Sequence, residues 1–271
     1  MWRLVVLDSG VSPDLPADAA DRFARDGYLV VPGVVPPDVL AQANAGMDAV
    51  LAGKYATGQA PKYRNAEPGT TTETLVKIDQ VHRADERILE LVGHPAIGAV
   101  VAAATGARRV QVWATQLLHK FGGSAGTGNV GWHQDFQYWR EHWDGGVMTA
   151  WIAMVDVPVE SGPVRFVTGS HRWGFVEGGD FFGTDMYALR ERYAVPPGAE
   201  WNEQAAVLPA GGVSLHHCMT VHGSMPNVAA TPRRAIAVHV VLDDAPSKSD
   251  AGEVFGFDLT DRASSPILFG S

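Results

Sequence analysis

From residue 107 onward the chain breaks into short apolar runs, and this texture narrows the fold more than any other feature. Strand-like segments at 109–119, 130–139, 147–156, 163–167, 205–208, 212–217 and 234–242 are separated by turns rich in glycine and proline. Many short strands punctuated in this way predict a sandwich or barrel. The expected fold is mostly β with flanking helices: a double-stranded β-helix (a cupin-like jelly roll) over about 107–245, packed against a helical N-terminal portion over about 14–106. No repeat, low-complexity tract or clean linker interrupts the 271 residues, which predicts a single domain over 1–271.

The N-terminal portion has helical spacing. Residues 17–26 are amphipathic and stop at Gly27, and 28–31 read as a strand. Pro36, Pro37 and Asp38 form a helix start, followed by Val39, Leu40, Ala43, Met47, Val50 and Leu51 at helical intervals. Residues 52–72 read as loop. The next helical region, 85–104, is expected to divide at Pro95 and to end at Gly106.

Composition sets bounds on partners. Hydrophobic residues make up 46% of the chain, enough for a globular core. Lys and Arg total 21 against 30 Asp and Glu, a formal charge of −9, and no basic stripe stands out. This argues against nucleic acid or an anionic membrane as the main partner. Cys218 is the single cysteine, so no intrachain disulfide can form, which fits a reducing cytoplasm. The first residues carry one basic side chain and a very short apolar run, unlike a signal peptide. No stretch is read as approaching the ~18 apolar residues of a membrane span. The expectation is a soluble, cytoplasmic protein; no residue pattern speaks to oligomeric state.

The chemistry is concentrated in two places. VGWHQDFQYW contains His133 and Asp135, two residues apart; on a strand, such residues point to the same face. His222, at 222 − 133 = 89 residues further on, opens HGSMPNVAATPRR. Two imidazoles and a carboxylate can occupy one face of an Fe(II) ion and leave positions open for cosubstrate and oxygen. Alone, a His-x-Asp is common by chance and His222 is an ordinary turn residue; the surrounding text gives them weight.

That text resembles the phytanoyl-CoA dioxygenase (PhyH) family of Fe(II)/2-oxoglutarate oxygenases. The matching segments are DRFARDGYLVVPGVV, WHQDFQYW, TAWIAMVDVPVESGPVRFVTGSH and HGSMPNVAATPRRAIAVHVV, with Arg233 eleven residues after His222. Thr168 stands where the family's PGSH turn has proline. The resemblance implies a jelly roll in which His133, Asp135 and His222 hold Fe(II), with 2-oxoglutarate and O2 as cosubstrates. The far carboxylate of 2-oxoglutarate needs a cation, best met by a planar guanidinium fork. Arg233 takes that place by family position, with the Ser224 hydroxyl beside it. Arg234 competes, but neighbouring strand residues face opposite ways, so only one points inward. The resemblance also puts Lys77, Gln116 and Trp151 in the cosubstrate pocket, against the plainer readings of a solvated lysine, a core-edge amide and a core tryptophan.

The implied reaction is hydroxylation, with 2-oxoglutarate leaving as succinate and carbon dioxide. The carboxylate of Asp135 favours hydroxylation over halogenation; desaturation, epoxidation and epimerisation share the same oxidant. The rival readings are a jelly roll that binds metal without redox turnover, and zinc-dependent hydrolysis. No basic cluster marks a CoA phosphate site. The resembled family spans acyl-CoA catabolism, compatible-solute synthesis and antibiotic or terpenoid tailoring; the alanine- and glycine-rich composition fits a high-GC bacterium, where tailoring of a small organic substrate is the expectation.

Other residues read as structural. Of His216 and His217, at most one faces the core, as a structural histidine. His171 is a turn residue, and His119, His142 and His239 lack metal spacing. Cys218 reads as a buried small residue. The glycine-rich 121–131 lacks a P-loop ending and reads as a loop leading into the metal strand that helps cover the site. Strand alternation puts Trp132, Gln134 and Phe136 opposite His133 and Asp135. Residues 172–204 are long enough for a lid, in which Arg190 or Arg192 could meet a substrate carboxylate.

Overall fold

The structure is a computed structural model that describes residues 2–4, 14–71, 75–123, 127–243, 245–248 and 257–271. Trp2–Leu4 (β1) pairs with Asp14–Pro16 (β2). Ala19–Asp26 (α1) ends where Gly27 turns left-handed (φ 81°) and its N–H returns to the Phe23 carbonyl. Tyr28–Val31 (β3) follows, then Pro37–Leu51 (α2), which starts on the proline because a first-turn N–H needs no helical partner. Tyr63–Arg64 (β4) and Leu75–Asp79 (β5) precede Glu86–Val92 (α3), which is capped by the Asp85 carboxylate, and Pro95–Thr105 (α4), which ends at left-handed Gly106. Residues Glu86–Thr105 are apolar and long enough to match a membrane span by composition, a signal that the sequence reading passed over. Gly93, His94 and Pro95 split them into two helices, whose Ile88, Leu91, Ile97 and Val100 are buried in the core.

The β portion comprises Val110–Lys120 (β6), Val130–His133 (β7), a turn of helix at Phe136–Trp139 (α5), Val147–Ala153 (β8) and Val164–Val167 (β9). Met186–Glu191 (α6), Glu203–Ala205 (β10), Val213–His217 (β11), His222–Ser224 (β12), Arg233–Leu242 (β13) and Ile267–Phe269 (β14) complete it. The larger sheet runs β3-β11-β8-β13-β6-β5-β4, with β14 also on β6; the smaller runs β10-β9-β12-β7. The two sheets make the jelly roll. The outer face of the larger one carries Leu29, Val213, Ile152, Val238, Leu117 and Ile78, buried with α1 to α4 in one cluster.

Its inner face faces the smaller sheet and is ordered in rows, because cross-strand partners share a face. One row reads Tyr28, His216, Thr149, His239. The next reads Ser214, Trp151, Ala237, Gln116, Asp79. Beyond it lie Ala153, Ala235, Leu118 and Lys77, and then Arg233, Lys120 and Leu75.

The strand expected over 130–139 stops at His133, because Asp135 adopts helical angles (φ −55°, ψ −36°) and α5 follows, burying Trp139 against Trp113. The strand expected at 205–208 lies at Glu203–Ala205, leaving Leu208 a single bridge to Val157. The loop over 52–72 contains β4, and β5 and β14 were not anticipated. Thr168 has a use for its N–H, which donates to the Asn202 carbonyl; a proline there could not make that bond.

Candidate metal centre

His133 closes β7 and His222 opens β12, directly paired across the two strands. Their donor atoms and those of Asp135 lie within 4.8 Å of one another. Asp135 does not reach the site by strand alternation, as its spacing suggested. The backbone turns helical at this residue and brings its carboxylate round, with Oδ1 3.6 Å from His133 Nε2 and 3.7 Å from His222 Nε2. Both imidazoles are anchored from behind: His133 Nδ1 donates to the Gly131 carbonyl (2.8 Å) and His222 Nδ1 to the Thr220 carbonyl (2.9 Å). With hydrogen on Nδ1, the Nε2 lone pairs face the shared centre, as a metal requires.

The second oxygen of Asp135 is already engaged. Oδ2 accepts from the Thr149 hydroxyl (2.8 Å) and from His216 Nε2 (3.1 Å), which leaves Oδ1 for an ion. Thr149 has one hydroxyl hydrogen and gives it to Asp135, so His239 Nδ1, 2.9 Å away, donates to Thr149. The sequence marks His216 as structural and gives His239 no metal spacing; the fold makes both supports of Asp135, the candidate acidic ligand. The signal for His216 was its alternation with Val213 and Leu215, which face the helices. Nothing in the sequence links His239 to Asp135.

Burial alone would raise the Asp135 carboxyl, but the surrounding imidazoles of His222, His133 and His216 outweigh it and hold it well below the usual carboxylate range. Burial, reinforced by the neighbouring His133 and His216, pushes His222 well below an ordinary histidine, and burial takes His239 down to about 4. His222 and His239 are therefore neutral at neutral pH, the form in which imidazole has a lone pair to offer.

One pocket joins this centre to Arg233. Its lining includes the three candidate ligand residues, Gln116, Trp151 and Ser224. Arg233 is buried (1% exposed), with its guanidinium 5.2 Å from the Trp151 ring centre. Nη1 donates to the Gly162 carbonyl (3.0 Å), whereas Nε and Nη2 are buried without a partner. Those two N–H groups form one edge of the guanidinium, the two-pronged edge that fits a carboxylate. Burial lowers Arg233 to about 9. Arg234 faces the other way and pairs with Asp48 (2.8 Å), as strand alternation demands.

Lys77 does not join them. It is on the inner face, but its ammonium is held by both oxygens of Asp79 at 2.6 Å and stands over the Tyr63 and Phe181 rings. A lysine that the sequence did not single out, Lys120, lies beside Ser224 instead, with Nζ 2.6 Å from Ser224 Oγ.

The long segment 172–204 crosses the site. Gly131 N–H donates to the Phe181 carbonyl and Asp180 N–H to the Trp132 carbonyl, tying the segment to β7, and the Phe181 ring packs 5.2 Å from His133. Arg190 is over Trp201. Trp132 and Gln134 are buried away from the centre, Gln134 donating to the Gly174 and Met219 carbonyls. Residues 124–126 of the glycine-rich stretch lie outside the described residues. His171 is a turn residue bonded to the Ala24 carbonyl. Burial drives the Cys218 thiol up to about 12, too high for a nucleophile.

A jelly roll presenting two histidines, one carboxylate and a buried unpaired arginine edge in a single pocket defines the class of Fe(II)- and 2-oxoglutarate-dependent oxygenases. The chain belongs to the phytanoyl-CoA dioxygenase (PhyH) family, whose model matches residues 23–235. It is 23% identical over 234 residues to an ectoine dioxygenase of Stutzerimonas stutzeri (strain A1501), covering 81% of this chain and 74% of the relative. It is 26% identical over 272 residues to an L-proline trans-4-hydroxylase of Streptomyces griseoviridis, covering 93% and 94%. Among solved structures it is similar to the epimerase SnoN in complex with Fe3+, alpha ketoglutarate and nogalamycin RO, with a TM-score of 0.67, 24% identity, and 90% and 89% of the two chains covered. The last likeness speaks for the fold. The protein is an Fe(II)- and 2-oxoglutarate-dependent dioxygenase acting on a small molecule.

Proposed function

We propose that His133, Asp135 and His222 hold Fe(II), that Arg233 and Ser224 receive the far carboxylate of 2-oxoglutarate, and that the enzyme hydroxylates a small organic substrate in bacterial secondary metabolism. The observation that carries this reading is the buried Nε–Nη2 edge of Arg233, left without a protein partner in the same pocket as the triad. A buried guanidinium edge without an acceptor is costly, and a carboxylate meets both donors at once.

With iron, 2-oxoglutarate and dioxygen bound, one oxygen atom goes to the keto acid, which leaves as succinate and carbon dioxide, and the other goes into a substrate C–H bond. The chain's own residues set the conditions. The Gly131 and Thr220 carbonyls hold the two imidazoles in the tautomer that binds metal. Thr149 and His216 restrain Asp135 to one available oxygen. Leu118, Val130, Val164 and Ala237 give the pocket apolar walls suited to the methylene carbons of the keto acid. Phe181 shields His133 on the side crossed by the long segment, which limits water at the oxidising centre.

The relatives named for ectoine and L-proline act on compact molecules, which supports a substrate of that size. The test is succinate formation from 2-oxoglutarate with Fe(II) under air, in the wild type and in His133→Ala and Asp135→Ala. Loss of succinate in both variants is expected. Undiminished succinate in either, or turnover that persists without oxygen and with zinc, would sink the reading.

A further inference from the structure

Two buried basic side chains lie near Ser224, Arg233 lining the pocket and Lys120 behind the serine, and only Arg233 has been given a task. Lys120 closes β6 directly across from Arg233 in the register with β13, so both point to the inner face. The whole Lys120 side chain is buried, and its Nζ lies 2.6 Å from both Ser224 Oγ and the Met225 carbonyl oxygen. Ser224 is buried as well. Among the described residues, neither Lys120 nor Arg233 has a carboxylate partner, and the groups that Lys120 reaches are neutral oxygens. A fold rarely buries two cations with no anion unless one arrives with a ligand.

We propose that Lys120 is a positioning residue for the keto acid, aiming the Ser224 hydroxyl hydrogen at the far carboxylate and so favouring keto acids with two carboxylates. This rests on the reading in which Arg233 and Ser224 receive that carboxylate. An ammonium group has only hydrogens to give. Ser224 Oγ accepts one from Lys120, so its own O–H must point elsewhere, and the described residues offer it no acceptor. The open direction is the pocket that Ser224 lines together with Arg233. The carboxylate then meets the two-pronged edge of Arg233 and a serine hydrogen held in place from behind.

The test compares 2-oxoglutarate with 2-oxopentanoate, the same five-carbon keto acid without the second carboxylate. Binding of each to the Fe(II)-loaded protein is measured by anaerobic calorimetry in the wild type, Lys120→Met, Ser224→Ala and the double variant. Lys120→Met is expected to weaken 2-oxoglutarate by roughly 10- to 100-fold, the range for a lost charge-assisted hydrogen bond. It should leave 2-oxopentanoate unchanged, and it should cost much less when Ser224 is already alanine, because the lysine acts through that hydroxyl. Unchanged 2-oxoglutarate binding, or equal weakening of both acids, would overturn the role of Lys120. Should Lys120→Met fold poorly, judged by Fe(II) affinity, Lys120→Gln decides by the same comparison. A wild type that binds the two acids equally would instead refute the Arg233 reading itself.

Discussion

Thr149 donates its hydroxyl to Asp135 at 2.8 Å, and the two residues reach each other from different layers of the fold. Thr149 belongs to the middle of the larger sheet, while Asp135 follows the end of a strand in the smaller one. The bond fixes which carboxylate oxygen remains for the metal. Thr149→Val keeps the shape and removes the hydroxyl, leaving Asp135 Oδ2 with His216 alone and His239 without its acceptor. Fe(II) affinity, followed by anaerobic titration, should fall by roughly 10- to 100-fold, as for outer supports of other metal sites. An unchanged affinity would mean that His216 suffices to hold Asp135.

Arg233→Ala should raise the KM for 2-oxoglutarate by roughly 10- to 100-fold, since two charge-assisted hydrogen bonds are lost. Arg234→Ala should leave that KM in place, because Arg234 faces Asp48 and Asn44 on the other side of the sheet. Steady-state kinetics at saturating iron separates the two; equal effects would show that neither arginine serves as the specific anchor.

Lys77→Met tests the role that family position assigns to Lys77. Its ammonium is taken by Asp79 on the same strand. The KM for 2-oxoglutarate should change by less than about threefold, because the ammonium is already paired and neither it nor Asp79 lines the pocket that holds Arg233. A tenfold rise would place Lys77 at the cosubstrate after all.

His82 gives the apo-protein a pH dependence. It is buried between Thr115 and the Ser264 carbonyl, and burial lowers it from 6.5 to about 4. The unfolded chain takes up its proton near pH 6.5, whereas the folded chain resists until about 4. Between those values the unfolded state binds more protons, so stability falls as pH falls. Each such histidine contributes up to about 3 kcal/mol of loss across that window. Tm of the metal-free protein, measured from pH 7 to pH 4, should drop steadily, and less steeply in His82→Gln. An equal slope in the variant would assign the pH dependence to other groups.

Much of the fold was legible because its signals are local. Pro37, Gly27, Pro95 and Gly106 punctuate the helices through backbone geometry that no distant contact changes. The alternation in β13 correctly separated Arg233 from Arg234. It was less reliable at Asp135, where a helical turn begins in order to bury Trp139, a tertiary demand that overrides a two-residue period. The strand β5 did carry a period-two signal, with Val76 and Ile78 facing the helices and Lys77 and Asp79 facing inward, hidden by the charges on its inner face.

By itself the sequence determined the candidate ligand types, two histidines, a carboxylate and an arginine at family spacing, and with them the family and its iron and keto-acid chemistry. Only the tertiary structure decided what holds those ligands. Thr149, His216 and His239 meet Asp135 across strands far apart in the chain, and Lys120 meets Ser224 across more than a hundred residues. Such contacts follow from sheet register and from which side chains lack any other buried partner. Both are properties of the packed molecule, because a hydrogen bond between distant segments leaves no periodic trace along the chain.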